Sequence, residues 1–357
     1  MNIKSTITIF LITFSLTGCA LFKTQTLSAL DDRDKVTSCE KLDKSDLPYD
    51  SRIAIYTSDC KGYQVDEIQH VLNMAFSDDR AVVLFVHGRG DEPKKSLKGG
   101  FVVTGLAVHK LESQYNAKVL MFSWDSKRGG WGPFGIADRE RPLENTPDAA
   151  KKLNDLIARI KQYCSEKRCD KPITLMAHSM GNIVLQKIVE NKNLNAWPNS
   201  DGSIFSNVVL SSSDADNLGH EKWVENIASI ERTYVVFNKG DGTLEKSKES
   251  RQEGAVALGL DPGDKYAASA KYIDLTGLGI SISDQNEEEN DHHEMFNKCS
   301  MYNQVNMCRF YDSAIEGKKP ILDSKNAVKD GQIYKLKSEI NKKDSCFNNK
   351  CDYKKPQ

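Results

Sequence analysis

The chain has 357 residues, of which 39% are hydrophobic and 28% charged, with a formal net charge of −1. That length suits one large α/β domain or two small ones. The near-zero charge excludes the strong basic field that nucleic-acid binding needs, so no nucleic-acid partner is expected.

The first 18 residues stand apart. Lys4 gives a positive start, and Ile7 to Leu16 is an apolar run too short to span a bilayer comfortably. The run ends in Leu16-Thr17-Gly18-Cys19, which resembles a bacterial lipobox. The resemblance implies a signal peptide over residues 1–18, cleavage before Cys19, and a membrane anchor made by lipid on Cys19. Ala20 stands where lipoproteins kept at the inner membrane often carry Asp, which implies the outer membrane facing the periplasm. The plainer alternative is an ordinary secretory signal or a short membrane anchor. Residues 19–51 are polar and turn-rich and read as a tether that stands the domain off the membrane.

Nine cysteines less Cys19 leave eight, an even number. They fall as neighbours: Cys39 and Cys60, Cys164 and Cys169, Cys299 and Cys308, Cys346 and Cys351. In an oxidising compartment these read as four local disulfides.

From Arg52 the rhythm changes. Arg52 to Tyr56 is a short strand, Val65 to Phe76 a helix, and Ala81 to Val86 a continuous apolar run of strand length. The loop His87-Gly88-Arg89-Gly90-Asp91 follows, then a helix from about Ser96 to Tyr115. Lys118 to Ser123 is the next strand, and Trp124 to Arg141 a loop rich in Gly, Trp and Pro. Trp124, Trp131 and Phe134 in it could line an acyl pocket or simply pack the loop. Thr146-Pro147 reads as a helix start, with Leu153, Leu156, Ile157 and Ile160 marking one face. Ile173 to His178 is a buried strand that turns at Ser179 into a helix. Ser206 to Leu210, Thr233 to Phe237 and Lys271 to Leu275, taken as the last, are strands; Trp223 to Ile230 is a helix. The alternation predicts an α/β fold, a mostly parallel central sheet with helices on both faces. This α/β domain spans 52–298, and 299–357 is a Lys-rich, Cys-containing extension.

The turn carries Ala177-His178-Ser179-Met180-Gly181, a small-x-Ser-x-Gly pattern. Small residues two positions either side let a sharp strand-to-helix elbow lift the serine hydroxyl above the sheet. A serine is a weak nucleophile. It needs a base, an acid to orient that base, and two N–H donors for the oxyanion. Asp241, in Asn238-Lys239-Gly240-Asp241, and Asp214 are the candidate acids. His293 and His292 are the candidate bases. Asp291, His292, His293 and Glu294 could also be read as metal ligands, but adjacent residues rarely aim at one ion.

From Ala81 to Phe296 the chain resembles the α/β-hydrolase superfamily, and within it a bacterial serine-hydrolase-like family of unknown function. The resemblance rests on His87-Gly88, Phe122-Ser123-Trp124, the Ser179 pentapeptide, the Asp241 loop and His293-Glu294-Met295-Phe296. Ala177 for the usual glycine and the doubled histidine depart from it. It implies Ser179 as nucleophile, Asp241 in preference to Asp214 as the orienting acid, and His293 in preference to His292 as base. It further implies the backbone N–H groups of Met180 and Arg89 as oxyanion donors. His87 is then a loop buttress and His178 a spacer. The implied activity is an esterase- or lipase-like serine hydrolase acting on an ester or acyl substrate, with no metal or organic cofactor. The alternatives are an inactive hydrolase fold serving as an envelope scaffold, or a peptidase using the same residues.

Overall fold

A computed structural model of the protein describes residues 54–57, 62–63, 65–89, 94–95, 101–102, 108, 111–112, 114–126, 137–194, 204–227, 232–278, 292–297 and 304–339. The expected signal, Cys19 and tether lie outside the described residues, as do Trp131, Phe134 and five of the paired cysteines.

In chain order the strands are β1 (Ala54–Tyr56), β2 (Gly62–Tyr63), β3 (Ala81–Val86), β4 (Lys94–Lys95), β5 (Phe101–Val102) and β6 (Ala117–Ser123). There follow β7 (Ile173–His178), β8 (Asn207–Ser211), β9 (Thr233–Phe237), β10 (Ala270–Asp274), β11 (Ala327–Asp330) and β12 (Ile333–Leu336). The helices are α1 (Ile68–Ala75), α2 (Ala137–Lys167), α3 (Gly181–Glu190), α4 (His220–Glu225), α5 (Gly242–Lys246) and α6 (Val305–Ile315). Ten of the described strands form one sheet in the order β11-β12-β10-β9-β8-β7-β3-β6-β1-β2. Every neighbouring pair from β12 to β6 is parallel, while β1, β2 and β11 join antiparallel at the two edges.

The apolar runs are continuous because both faces of the sheet are covered. Along β3, Val82, Leu84 and Val86 pack into a cluster with α1, α2 and α3. Val83 and Phe85, on the other face, pack with Val108, Leu111, Tyr115, Phe296 and α6. From β3 the chain crosses to β6 on one side and then to β7 on the other. The carboxyl ends of β3 and β7 therefore flank the point where the strand order reverses, where ligands bind in such sheets.

Several expectations need correction. The helix expected from Ser96 does not hold at Phe101–Val102, which pairs antiparallel with Lys94–Lys95; residues 108, 111, 112 and 114 are helical. Thr146-Pro147 does not start a helix. It lies inside α2, which begins at Ala137 within the expected loop and contains Pro142 and Pro147. Proline at 147 cannot donate to Leu143 O, and the Thr146 hydroxyl does so instead at 2.8 Å. The cap-and-proline signal thus marks a repaired helix interior. The helix expected over Trp223 to Ile230 is α4, which starts earlier, at His220.

Lys271 to Leu275 is not the last strand, since β12 pairs parallel with β10 from its far side. Residues 304–339, within the expected extension, continue the same sheet and core. Asn207 Nδ2 donates to Ala314 O and Lys318 O, and Thr174 Oγ1 to Ala314 O. Cys164 and Cys169 form a disulfide, as sequence adjacency suggested, and Cys308 is disulfide-bonded to a residue outside those described.

Candidate active site

Ser179 stands between β7 and α3 with φ of 52°, in the left-handed region that a serine rarely adopts. Such a conformation costs about 1–3 kcal/mol and persists only where the surroundings over-determine it. Here they do. Ser179 N donates to Ser211 O at 3.0 Å, and Ser179 O accepts from Asp214 N and Asn182 N. The Asn182 side-chain amide also reaches Ala177 O, Ser179 O and Ser211 O at 3.0–3.3 Å. Asn182 is therefore a clamp on the elbow, which sequence reasoning missed; an amide three residues after the serine was its only signal.

Glycine is required at two close approaches. A Cβ on Gly181 would lie 2.5 Å from Val86 O and 2.6 Å from His87 O. A Cβ on Gly88 would lie 2.7 Å from Ser179 Cβ. Ala177, by contrast, is fully buried with its methyl group accommodated, so the alanine in place of glycine fits. These contacts press the loop after β3, in which Arg89 follows Gly88, against the elbow. Met180, buried, begins the turn into α3, whose amino end favours negative charge.

His87 is a buttress, as expected. Trp124 N donates to its Nε2 at 3.1 Å, so the ring proton sits on Nδ1 and donates to Gly88 O at 2.6 Å. Trp124 Nε1 donates back to His87 O at 3.0 Å. Trp124 is fully buried in this lock, so it packs the loop.

Asp241 is fully buried and caps α5, its Oδ1 accepting from Leu244 N at 2.9 Å. Its Oδ2 lies 2.9 Å from His293 Nδ1. One carboxylate thus fixes its own loop and holds the imidazole by its Nδ1 side. His293 lies in the 3-10 segment His292–Asn297; the side chain of His292 is outside the described residues.

Asp214 is engaged elsewhere. Its Oδ2 accepts from Arg139 Nε at 3.3 Å, and its Oδ1 from Arg251 Nη2 and from Ser247 Oγ. Arg251 also pairs with Asp216. All of Asp214, Arg139 and the Arg251 side chain are buried, so the charges compensate one another beneath the loop after β8. This network joins Arg139 of α2, Ser247 and Arg251 after α5, and Asp214, whose N–H holds Ser179 O. Sequence gave no hint of it, since the arginines lie 75 and 37 residues from their partner.

The geometry thus gathers Ser179, Gly88, Asp241 and His293 at the carboxyl end of one sheet, and assigns Asp214 to arginines. Residues 64–305 match the family described as alpha/beta hydrolase of unknown function (DUF900). Among solved structures, the acylaminoacyl peptidase of Pyrococcus horikoshii is similar at 11% identity and a TM-score of 0.33, over 69% of this chain and 39% of the peptidase. A serine hydrolase involved in carbazole degradation is similar at 11% identity and a TM-score of 0.24, over 62% of this chain and 89% of that one. This chain therefore matches only about two fifths of the peptidase's length. No curated protein matches it. With residues 64–305 matched, which is most of its length, the chain belongs to the alpha/beta hydrolase family of unknown function, DUF900.

Proposed function

We propose that the protein is a serine hydrolase that cleaves a carboxylic ester or thioester through an acyl-enzyme. The observation that carries this is the 2.9 Å contact between Asp241 and His293, at the same sheet end as a strained Ser179. His293 Nε2 takes the Ser179 proton as Oγ adds to the carbonyl carbon. The oxyanion is held by the N–H groups of Met180 and Arg89. His293 then gives its proton to the departing alcohol or thiol, leaving an acyl-serine. Water adds to that acyl group with the same proton transfers and releases the acid. Asp241 keeps the imidazole in the Nδ1–H tautomer throughout and stabilises its charged form.

We also propose that the mature chain is tethered by lipid on Cys19 and works in the cell envelope, at the outer membrane facing the periplasm. The Leu16 to Cys19 sequence supports the anchor, and the Cys164–Cys169 disulfide supports an oxidising compartment. The test is labelling by a fluorophosphonate probe, wild type against Ser179→Ala. Labelling that disappears in the variant supports the hydrolase. A folded wild type that takes no label sinks it and favours the scaffold. A panel of p-nitrophenyl esters of graded chain length then sorts the acyl preference. Metabolic labelling with a palmitate analogue, wild type against Cys19→Ala, tests the anchor.

A further inference from the structure

The segment bearing His293 is not a regular helix. Glu294 breaks it, with φ −108° and ψ 46°, so carbonyls that a continuous helix would use internally need other partners. Two buried side chains supply them. Tyr115 OH donates to Phe296 O at 2.7 Å. His178 Nε2 lies 3.2 Å from His293 O. A carbonyl oxygen only accepts, so this nitrogen of His178 carries a proton and donates.

The contact is reinforced by packing. The His178 ring lies 4.7 Å from the His293 ring and 5.0 Å, edge-on, from Phe296. It also stacks on Phe85 of β3 at 6.4 Å. His178 is the last residue of β7 and covalently precedes Ser179. It is therefore joined to the elbow by one peptide bond and to the base segment by one hydrogen bond and two ring contacts.

We infer that His178 is a positioning residue: its Nε2–H fixes the height of the His293 backbone over the elbow, so that base and nucleophile keep a set distance. The spacer role expected of it is too small. It acts through His293. The inference rests on the hydrolase reading for its kinetic consequence, but not for its structural one.

Two readouts separate these. The first is the fluorophosphonate labelling rate. The second is the low-field proton resonance of His293 Nδ1–H in its bond to Asp241, which needs no reaction. His178→Leu keeps bulk and removes the donor. His178→Asn keeps polarity but is too short to reach. His178→Gln places an N–H near the position of Nε2. We expect Leu and Asn to slow labelling roughly ten- to a hundredfold and to broaden or lose the resonance. Gln should restore most of both. Thermal unfolding accompanies every variant, and if Leu does not fold, the contrast of Asn with Gln decides. Wild-type rate and resonance in Leu or Asn overturn the inference, as does equal loss in Gln among folded variants. If the wild type takes no label, the hydrolase reading fails, and the resonance alone decides the positioning role.

Discussion

Replacing Gly181 by alanine tests whether the elbow is as tight as its contacts indicate. The added methyl carbon would meet Val86 O at 2.5 Å and His87 O at 2.6 Å, both main-chain atoms of the β3 end. Backbone cannot swing aside as a flexible side chain can. The elbow and the strand end must part by about half an ångström to reach even the shortest tolerable contact. Forcing extra volume into such a site costs roughly 1–3 kcal/mol. For a domain of this size that lowers Tm by about 2–4 °C per kcal/mol. The larger effect should fall on reactivity, because the same movement separates Ser179 from the loop bearing Arg89. Misplacement near 1 Å costs on the order of a hundredfold. Thermal unfolding and fluorophosphonate labelling of the variant measure the two effects. Unchanged Tm and unchanged labelling together would refute the reasoning; lowered stability with a wild-type rate would refute the link from elbow to reactivity.

Four further outcomes are expected. Asp241→Asn should fold yet lose labelling by about 10⁴-fold, since the amide favours the wrong imidazole tautomer. Asp214→Asn should instead lose about 3–5 kcal/mol of stability in urea unfolding, because it leaves two buried arginines undercompensated; the opposite pattern would exchange their roles. His220 is buried, with Nδ1 2.6 Å from Asn217 O and Nε2 2.8 Å from Tyr272 OH, and burial lowers its pKa despite the Asn217 bond. The folded pKa is below the unfolded value of about 6.5, so below that pH the unfolded chain takes a proton first. Stability should therefore fall as pH drops from about 6.5, and His220→Asn should lose this share of the dependence; identical curves for both proteins would refute it. Reducing the Cys164–Cys169 disulfide, which closes a loop of sequence separation 5, should cost about 2 kcal/mol by loop entropy alone. Unfolding of Cys164→Ser/Cys169→Ser measures it, and no change would show that the link adds no stability.

The central strands were legible because burial on both faces leaves an unbroken apolar run. Ala81–Val86 and Thr233–Phe237 have the bounds that their sequence indicated. The edge was not. β11 and β12 read Ala-Val-Lys-Asp and Ile-Tyr-Lys-Leu, mostly exposed or half-buried, and look like the lysine-rich chain around them. In α2 a local rule pointed the wrong way, because Thr146 repairs the carbonyl that Pro147 leaves open. For the site, the elbow was readable since its small residues are dictated locally. The choice between Asp241 and Asp214 was not, because it depends on where Arg139 and Arg251 arrive in space. His178 looked like filler for the same reason. Its partner is 115 residues away, on a segment with no regular pattern.

The parallel pairing of β12 with β10 bears on how the chain comes into being. Strand β10 ends at Asp274, but its outer partner begins only at Ile333. A chain made or threaded from its amino end therefore carries β10 as an open edge until residue 336 has emerged. That edge is a template for pairing with other chains. The helix that precedes β12 also closes the core beneath Tyr234 and Phe296. The Ser179 elbow is complete in sequence by residue 190, yet the sheet that supports it stays unfinished through the next 146 residues, to Leu336. An unpaired β10 edge over that interval, closed only once residue 336 is free, follows from strand order.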